Sequence, residues 1–230
     1  MKRLFCLILA ALLLPGAFCA GLAEDMEIME WEPEEEPGIP LDAGHFPDHS
    51  FRAYLGESFD ADGDGILSEA ERMGITEIDV EEKGISSLEG LEYFPELVKL
   101  ICRHNQLTEL DVSQNPELRF LYCSHSQLSG LNVRQNLELE SLNCSGNQLS
   151  ELNISNNAGL CSLLCHGNSL ESIDIGNCPV LVSAAESGAK NTIYGYRYVS
   201  YEMETDDRYV MIYLDTSTAL VGGDTVYYAP

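Results

Sequence analysis

Apolar residues recur along this chain with a period longer than any single helix or strand produces. From Leu97 the pattern repeats every 21 residues in four units: LVKLICRHNQLTELDVSQNPE (97–117), LRFLYCSHSQLSGLNVRQNLE (118–138), LESLNCSGNQLSELNISNNAG (139–159) and LCSLLCHGNSLESIDIGNCPV (160–180). Position one is Leu in every unit, as are positions four and eleven; position six is Cys, and position nine is Asn except at Ser126. Positions fourteen and sixteen are apolar throughout. An earlier, 22-residue unit, Ile75 to Glu96, keeps the pattern through Ile75, Ile78, Val80, Ile85, Leu88 and Leu91. Self-similarity at a fixed period of this length predicts a solenoid, in which each unit buries its apolar face only by stacking on its neighbours.

Alternation along positions three to seven predicts a short strand that sends positions four and six inward. Stacked units then build a parallel sheet with strands ~4.8 Å apart. The Asn at position nine turns inward, where its amide satisfies backbone groups as the chain leaves the strand. A unit of this length has no room for a full helix on its back, so Leu-Asp-Val-Ser and its equivalents are read as a second extended segment. Cys102, Cys123, Cys144 and Cys165 fall in one inward column, where thiols serve as small buried hydrophobes. Side chains pointing the same way in register are poorly placed for a disulfide. A metal-thiolate ladder would need ligands that converge on one point. The spacing leaves the redox state of Cys161 and Cys178 open.

A different pattern precedes the repeats. Phe51, Tyr54, Leu55 and Phe59 share one helical face, with Asp48 at its start. The helix leads into Asp60-Ala61-Asp62-Gly63-Asp64-Gly65-Ile66-Leu67-Ser68-Glu69-Ala70-Glu71, which fits the twelve-residue EF-hand loop position by position. Asp60, Asp62 and Asp64 would supply carboxylate oxygens, Ile66 its carbonyl, Ser68 a direct or water-mediated ligand, and Glu71 two closing oxygens. Gly65 permits the sharp turn, and Leu67 anchors the loop. The expected cofactor is Ca2+, in a structural role.

The remaining segments follow from composition. Met1-Lys2-Arg3, an apolar run from Leu4 to Leu14 and the small residues around Ala23 read as a secretory signal peptide, residues 1–23. Cys19 offers a lipid-anchored alternative. Residues 24–45, acidic and Pro-rich, read as a disordered linker that carries Trp31, the sole tryptophan. The cap then occupies 46–74, the repeats 75–182 and a Tyr-rich alternating segment 183–230, expected to form a small β cap. No later segment is apolar enough to span a membrane. The net charge of −26 excludes partners such as nucleic acid and anionic membranes.

This order resembles the secreted leucine-rich-repeat proteins of Gram-positive bacteria, the internalin-like group among them. The likeness covers roughly residues 46 to 182 and rests on LxxLxCxxNxL and on Asp60–Glu71. It implies an α/β solenoid of short leucine-rich repeats with a helical N-terminal cap, and extracellular protein binding. The chain departs from the group in carrying no C-terminal wall-sorting motif or wall-binding repeats.

No chemistry-bearing motif surrounds His45, His49, His104, His125 or His166, so the chain is read as a binding protein without catalytic residues. The outward strand positions of units 97–180 carry Lys99, Ile101, Arg103, His104, Arg119, Phe120, Tyr122, His125, Leu164 and His166, with Glu140 the acidic exception. Aromatic side chains beside Arg suit a binding surface. The expected partner is a protein or glycan that is anionic or apolar at the contact, met on the concave strand face. The alternatives are a structural secreted scaffold, or glycan or cell-wall binding through the Tyr-rich segment.

Overall fold

The computed structural model describes residues 38–187, 192–194, 198–204, 209–215, 218–222 and 225–227. All lie in one compact unit, Glu36–Pro230. The signal peptide, Cys19 and Trp31 fall outside the described residues.

The chain enters through a two-residue strand, β1 (Ile39–Pro40), and a turn closed by Asp42. Helix α1 (His49–Phe59) follows. Asp48 caps it, accepting hydrogen bonds from the Ser50 and Phe51 amides. Phe51 and Leu55 are fully buried. Tyr54 and Phe59 pack edge-to-face beside them, ring centroids 5.7 Å apart. The loop after α1 contains β2 (Ile66–Leu67), antiparallel to β1, and ends in a single helical turn, α2 (Glu69–Arg72). The end of the acidic segment, from Gly38 onward, is thus built into the cap. Its apolar pair Ile39–Pro40 finds a strand partner in Ile66–Leu67, which composition alone does not reveal.

The repeats form the predicted parallel ladder. Strands β3 (Glu77–Asp79), β4 (Lys99–Ile101), β5 (Phe120–Tyr122), β6 (Ser141–Asn143) and β7 (Ser162–Leu164) pair in register, each occupying positions three to five of its unit. Ile78, Leu100, Leu121, Leu142 and Leu163 point inward and are completely buried. Val80, Cys102, Cys123, Cys144 and Cys165 form the second inward column. On the back, Asp111, Asn132 and Asn153 bridge in parallel, the second extended segment expected there, and β8 (Ser172–Asp174) continues that line.

Two asparagine columns hold the turns. At position nine, Asn105 Nδ2 donates to the Val80 and Cys102 carbonyls while its Oδ1 accepts from the Ile85 amide. Asn147 repeats this between Cys123, Cys144 and Leu128. Asn168 does so between Cys144, Cys165 and Leu149. At position nineteen, Asn115, Asn136 and Asn157 each donate to two carbonyls of the preceding turn. Each of these asparagines bonds to the preceding unit, those at position nine also to their own, so the columns run along the stack.

The end of the chain does not form a separate sheet. Helix α3 (Pro179–Ser187) leaves the last repeat; β9 (Thr192–Tyr194) and β10 (Tyr198–Glu204) follow. Strand β11 (Tyr209–Asp215) then lies parallel to β7, with Ile212 beside Leu163. Ile212 and Leu214 are buried in the places that positions four and six hold elsewhere. Asp215 accepts hydrogen bonds from the Gly167 and Asn168 amides. Strand β12 (Ala219–Gly222) pairs in parallel with β8, and β13 (Thr225–Tyr227) closes against β12. Strands β11 and β12 therefore extend the solenoid as one more pair of parallel strands, with β10 and β9 appended at the edge of β11. No helix among the described residues is long and apolar enough to cross a membrane.

Candidate functional site

Two places bring chemically capable side chains together: the loop between α1 and α2, and the outward face of the strand ladder.

In the loop, Asp60 accepts the Gly63 amide on Oδ1 and the Gly65 amide on Oδ2. Asp62 accepts the Asp64 amide, and Asp64 accepts the Ile66 amide. Gly63 and Gly65 take φ of 74° and 81°, a left-handed backbone that glycine adopts without penalty. Glu71 reaches back across the loop. Its Oε1 accepts from the Ala61 amide and its Oε2 from the amide and hydroxyl of Ser68. The Ala61 amide first, and then Ser68, hold the Glu71 carboxyl below its ordinary range. Carboxylate oxygens of Asp60, Asp62 and Glu71 all lie within 4.8 Å of one another. Three anionic groups drawn this close in an oxygen-only setting fit a hard divalent cation. Asp64 stands outside that group of three. Leu67 is fully buried under the loop, whereas Ile66 is exposed.

On the strand face, Ile101 is nearly buried on β4, Phe120 and Tyr122 are half-exposed on β5, and Leu164 is half-exposed on β7, with Asn143 of β6 between it and Tyr122. The cations around them are paired. Lys99 Nζ lies 2.8 Å from Glu77 Oε1, and Arg103 Nη2 lies 2.7 Å from Glu81 Oε2. Arg119 donates to Glu140 through both Nε and Nη2 and lies over the Phe120 ring. Glu77 beside Lys99 and Glu140 beside Arg119 both raise the basic group's pKa. The face is thus an apolar row edged by ion pairs rather than a patch of unpaired positive charge. Reading the charges of units 97–180 alone missed this. Aligning Ile78 with Leu100 sets Glu77 opposite Lys99 and Glu81 opposite Arg103, and that alignment was available from the pattern.

Position eight has a role that sequence reading also missed. Glu82, His104 and His125 carry positive φ of 57°, 56° and 54°, and Gly146 and Gly167 continue the series at 66° and 69°. The amides at this position donate to the next unit, from Glu82 to Arg103, His104 to Ser124, His125 to Ser145 and Gly146 to His166. His104 and His125 stack, centroids 4.5 Å apart with planes 5° from parallel. A Cβ on Gly146 would come within 2.7 Å of His125 Nδ1, so a side chain here would require the His125 ring to move. His166, at position seven, is half-buried, and burial lowers its pKa although Asp215 opposes the shift.

No protein-family model matches the chain. Among curated proteins, Internalin J of Listeria monocytogenes serotype 4b (strain F2365) is 34% identical over 70 residues, 30% of this chain and 8% of that protein. Among solved structures, the functional domain of InlJ from Listeria monocytogenes, which includes a cysteine ladder, superposes with a TM-score of 0.59 at 32% identity. The match covers 63% of this chain and 32% of that one. The repeats are internalin-like. The chain spans less than a tenth of the curated relative's length.

Position six of these repeats is a run of cysteines. Here Cys102, Cys123 and Cys144 are fully buried free thiols. Burial pushes Cys102 and Cys144 up to about 12, and raises Cys123 and Cys165 as well. Cys178, the counterpart of Asn115, is buried too, its Sγ 3.4 Å from the Asn157 carbonyl where the amides of the column donate.

The grooves of the described residues lie elsewhere, on the back and flank. A 440 Å³ groove is lined by Ser87, Glu89, Glu92, Glu109 and Asp111 among others, and holds no histidine or cysteine.

Proposed function

We propose that this chain is a secreted, calcium-binding recognition protein that engages a protein partner on the outward face of its strand ladder and performs no catalysis. The observation that carries the reading is the half-exposed pair Phe120 and Tyr122 on β5, flanked by the nearly buried Ile101 on β4 and, across Asn143 of β6, by Leu164 on β7, and edged by the ion pairs of Lys99, Arg103 and Arg119. Apolar and aromatic centres rimmed by polar groups are the anatomy of protein interfaces. The likeness to the InlJ functional domain supports the same reading. The rigid parallel ladder holds these side chains in place before any partner arrives, which limits the ordering cost of association.

Calcium is assigned to Asp60, Asp62, Asp64, Ile66, Ser68 and Glu71. The support is the loop sequence, the two left-handed glycines and the convergence of three carboxylates. The ion would neutralise that convergence and brace the cap against the first repeat. The extracellular location rests on the N-terminal pattern and the similarity to Internalin J. The Tyr-rich segment offers no comparable case for glycan binding, since the side chains that would carry it lie outside the described residues.

The test uses the purified full chain as bait for proteins of its native medium and surroundings. Phe120→Asp/Tyr122→Asp on the strand face is compared with Asn132→Asp/Asn153→Asp on the back. A partner retained by the unaltered chain and the back variant, and lost by the face variant, is the expected result. Equal retention by all three would place recognition elsewhere.

A further inference from the structure

Among the described residues a second group of metal-capable side chains converges, away from the loop and of different chemistry. Carboxylate oxygens of Glu81 and Glu82 and a ring nitrogen of His104 lie within 4.8 Å of one another. They come from neighbouring units, Glu81 and Glu82 just past β3 and His104 just past β4, and the ladder sets their register. The bond from the Glu82 amide to the Arg103 carbonyl fixes the spacing. The His125 ring stacks on that of His104, centroids 4.5 Å apart, and braces it. Glu82, His104 and His125 are exposed, and Glu81 is half-buried and held by Arg103.

We propose that Glu82 and His104, with Glu81 completing the set, form a binding site for a divalent transition metal of the zinc type. The donor set decides the class. Imidazole with carboxylate suits zinc, copper and nickel, whereas calcium and magnesium take oxygen ligands alone. Zinc bonds of ~2.0–2.2 Å require donors closer together than the present group, a contraction that exposed Glu and His side chains reach by rotation. The salt bridge from Arg103 to Glu81 competes for one carboxylate and leaves Glu82 as the principal anionic ligand. Solvent exposure leaves coordination positions open for water or for a side chain of a bound protein. The site adjoins the strand face, so a metal held here would add a directional contact to recognition.

The experiment titrates zinc chloride into the full chain by calorimetry, with calcium at 10 mM to saturate oxygen-only sites. Glu82→Gln and His104→Asn are compared with Asp60→Ala. Asparagine is chosen because it tolerates the left-handed backbone at position 104 and leaves the fold intact. One zinc per chain is expected, with affinity at least tenfold weaker in Glu82→Gln and in His104→Asn and unchanged in Asp60→Ala. Copper(II) in place of zinc should give an electron-spin spectrum with nitrogen coupling that disappears in His104→Asn. Zinc binding that is absent at 1 mM, or equal in all four proteins, overturns the assignment. The result does not depend on whether the loop takes calcium.

Discussion

Ser126 interrupts the position-nine column, and its hydroxyl is buried without a hydrogen-bond partner. An asparagine there would stand where Asn105, Asn147 and Asn168 each donate to two strand-exit carbonyls and accept an amide. Ser126→Asn is therefore expected to stabilise the protein by about 1 kcal/mol, the usual net value of a hydrogen bond. Urea unfolding should show a higher midpoint at constant slope, and a lower midpoint would mean the gap is filled in another way. The thiols make a second prediction at this scale. Thiolate is the reactive form, and burial holds Cys102 and Cys144 near 12. At pH 8 a thiol reagent should leave Cys102, Cys123 and Cys144 unmodified in the native protein and label them in urea. Fast labelling of the native protein would place these residues at the surface.

At the scale of elements, Asp48 joins two of them. One oxygen caps α1, and the other accepts the amide and hydroxyl of Ser86 in the first repeat. Burial works to raise its pKa, but the hydrogen bonds from Ser86, Phe51 and Ser50 outweigh it, and the net shift is downward. A carboxyl with a depressed folded pKa contributes stability that is present above 3.8 and lost as pH falls through the folded value. Asp48→Ala should cost about 2 kcal/mol at neutral pH. The gap from the unaltered protein should narrow as pH falls below 3.8; a gap independent of pH would exclude this link. The strands at positions three to five, both inward columns and the helix before the loop were legible because local periodicity encodes them. Strand β11 was not. It returns beside β7 after more than forty residues, and the alternation of Tyr209–Asp215 announces a strand without naming its neighbour. The left-handed position eight was partly legible: Gly146 and Gly167 hinted at it, but the histidines in the earlier units concealed the rule. The ion pairs of the strand face are legible only once the units are aligned in register, because each joins residues about twenty positions apart.

Across the described unit, stability is distributed between neighbours, as expected where each turn buries its apolar face only against the next. The net charge of −26 adds self-repulsion throughout. Sodium chloride at 0.5 M should therefore raise the melting temperature by screening it, and a fall would show that the paired surface charges dominate instead. The most concentrated repulsion lies at the cap, where Asp60, Asp62 and Glu71 face one another. An ion bound there stabilises the folded state alone, by about 2.7 kcal/mol at 100 times its dissociation constant. For a chain of this size that is roughly 5–10 °C. The decisive measurement is a calorimetric melt of the full chain at fixed ionic strength, in 10 mM calcium and in chelator, beside the same pair for Asp60→Ala. The account predicts a melting temperature several degrees higher with calcium for the unaltered chain and no difference for Asp60→Ala. Superimposable melts of the unaltered chain, or an equal calcium shift in Asp60→Ala, would contradict it.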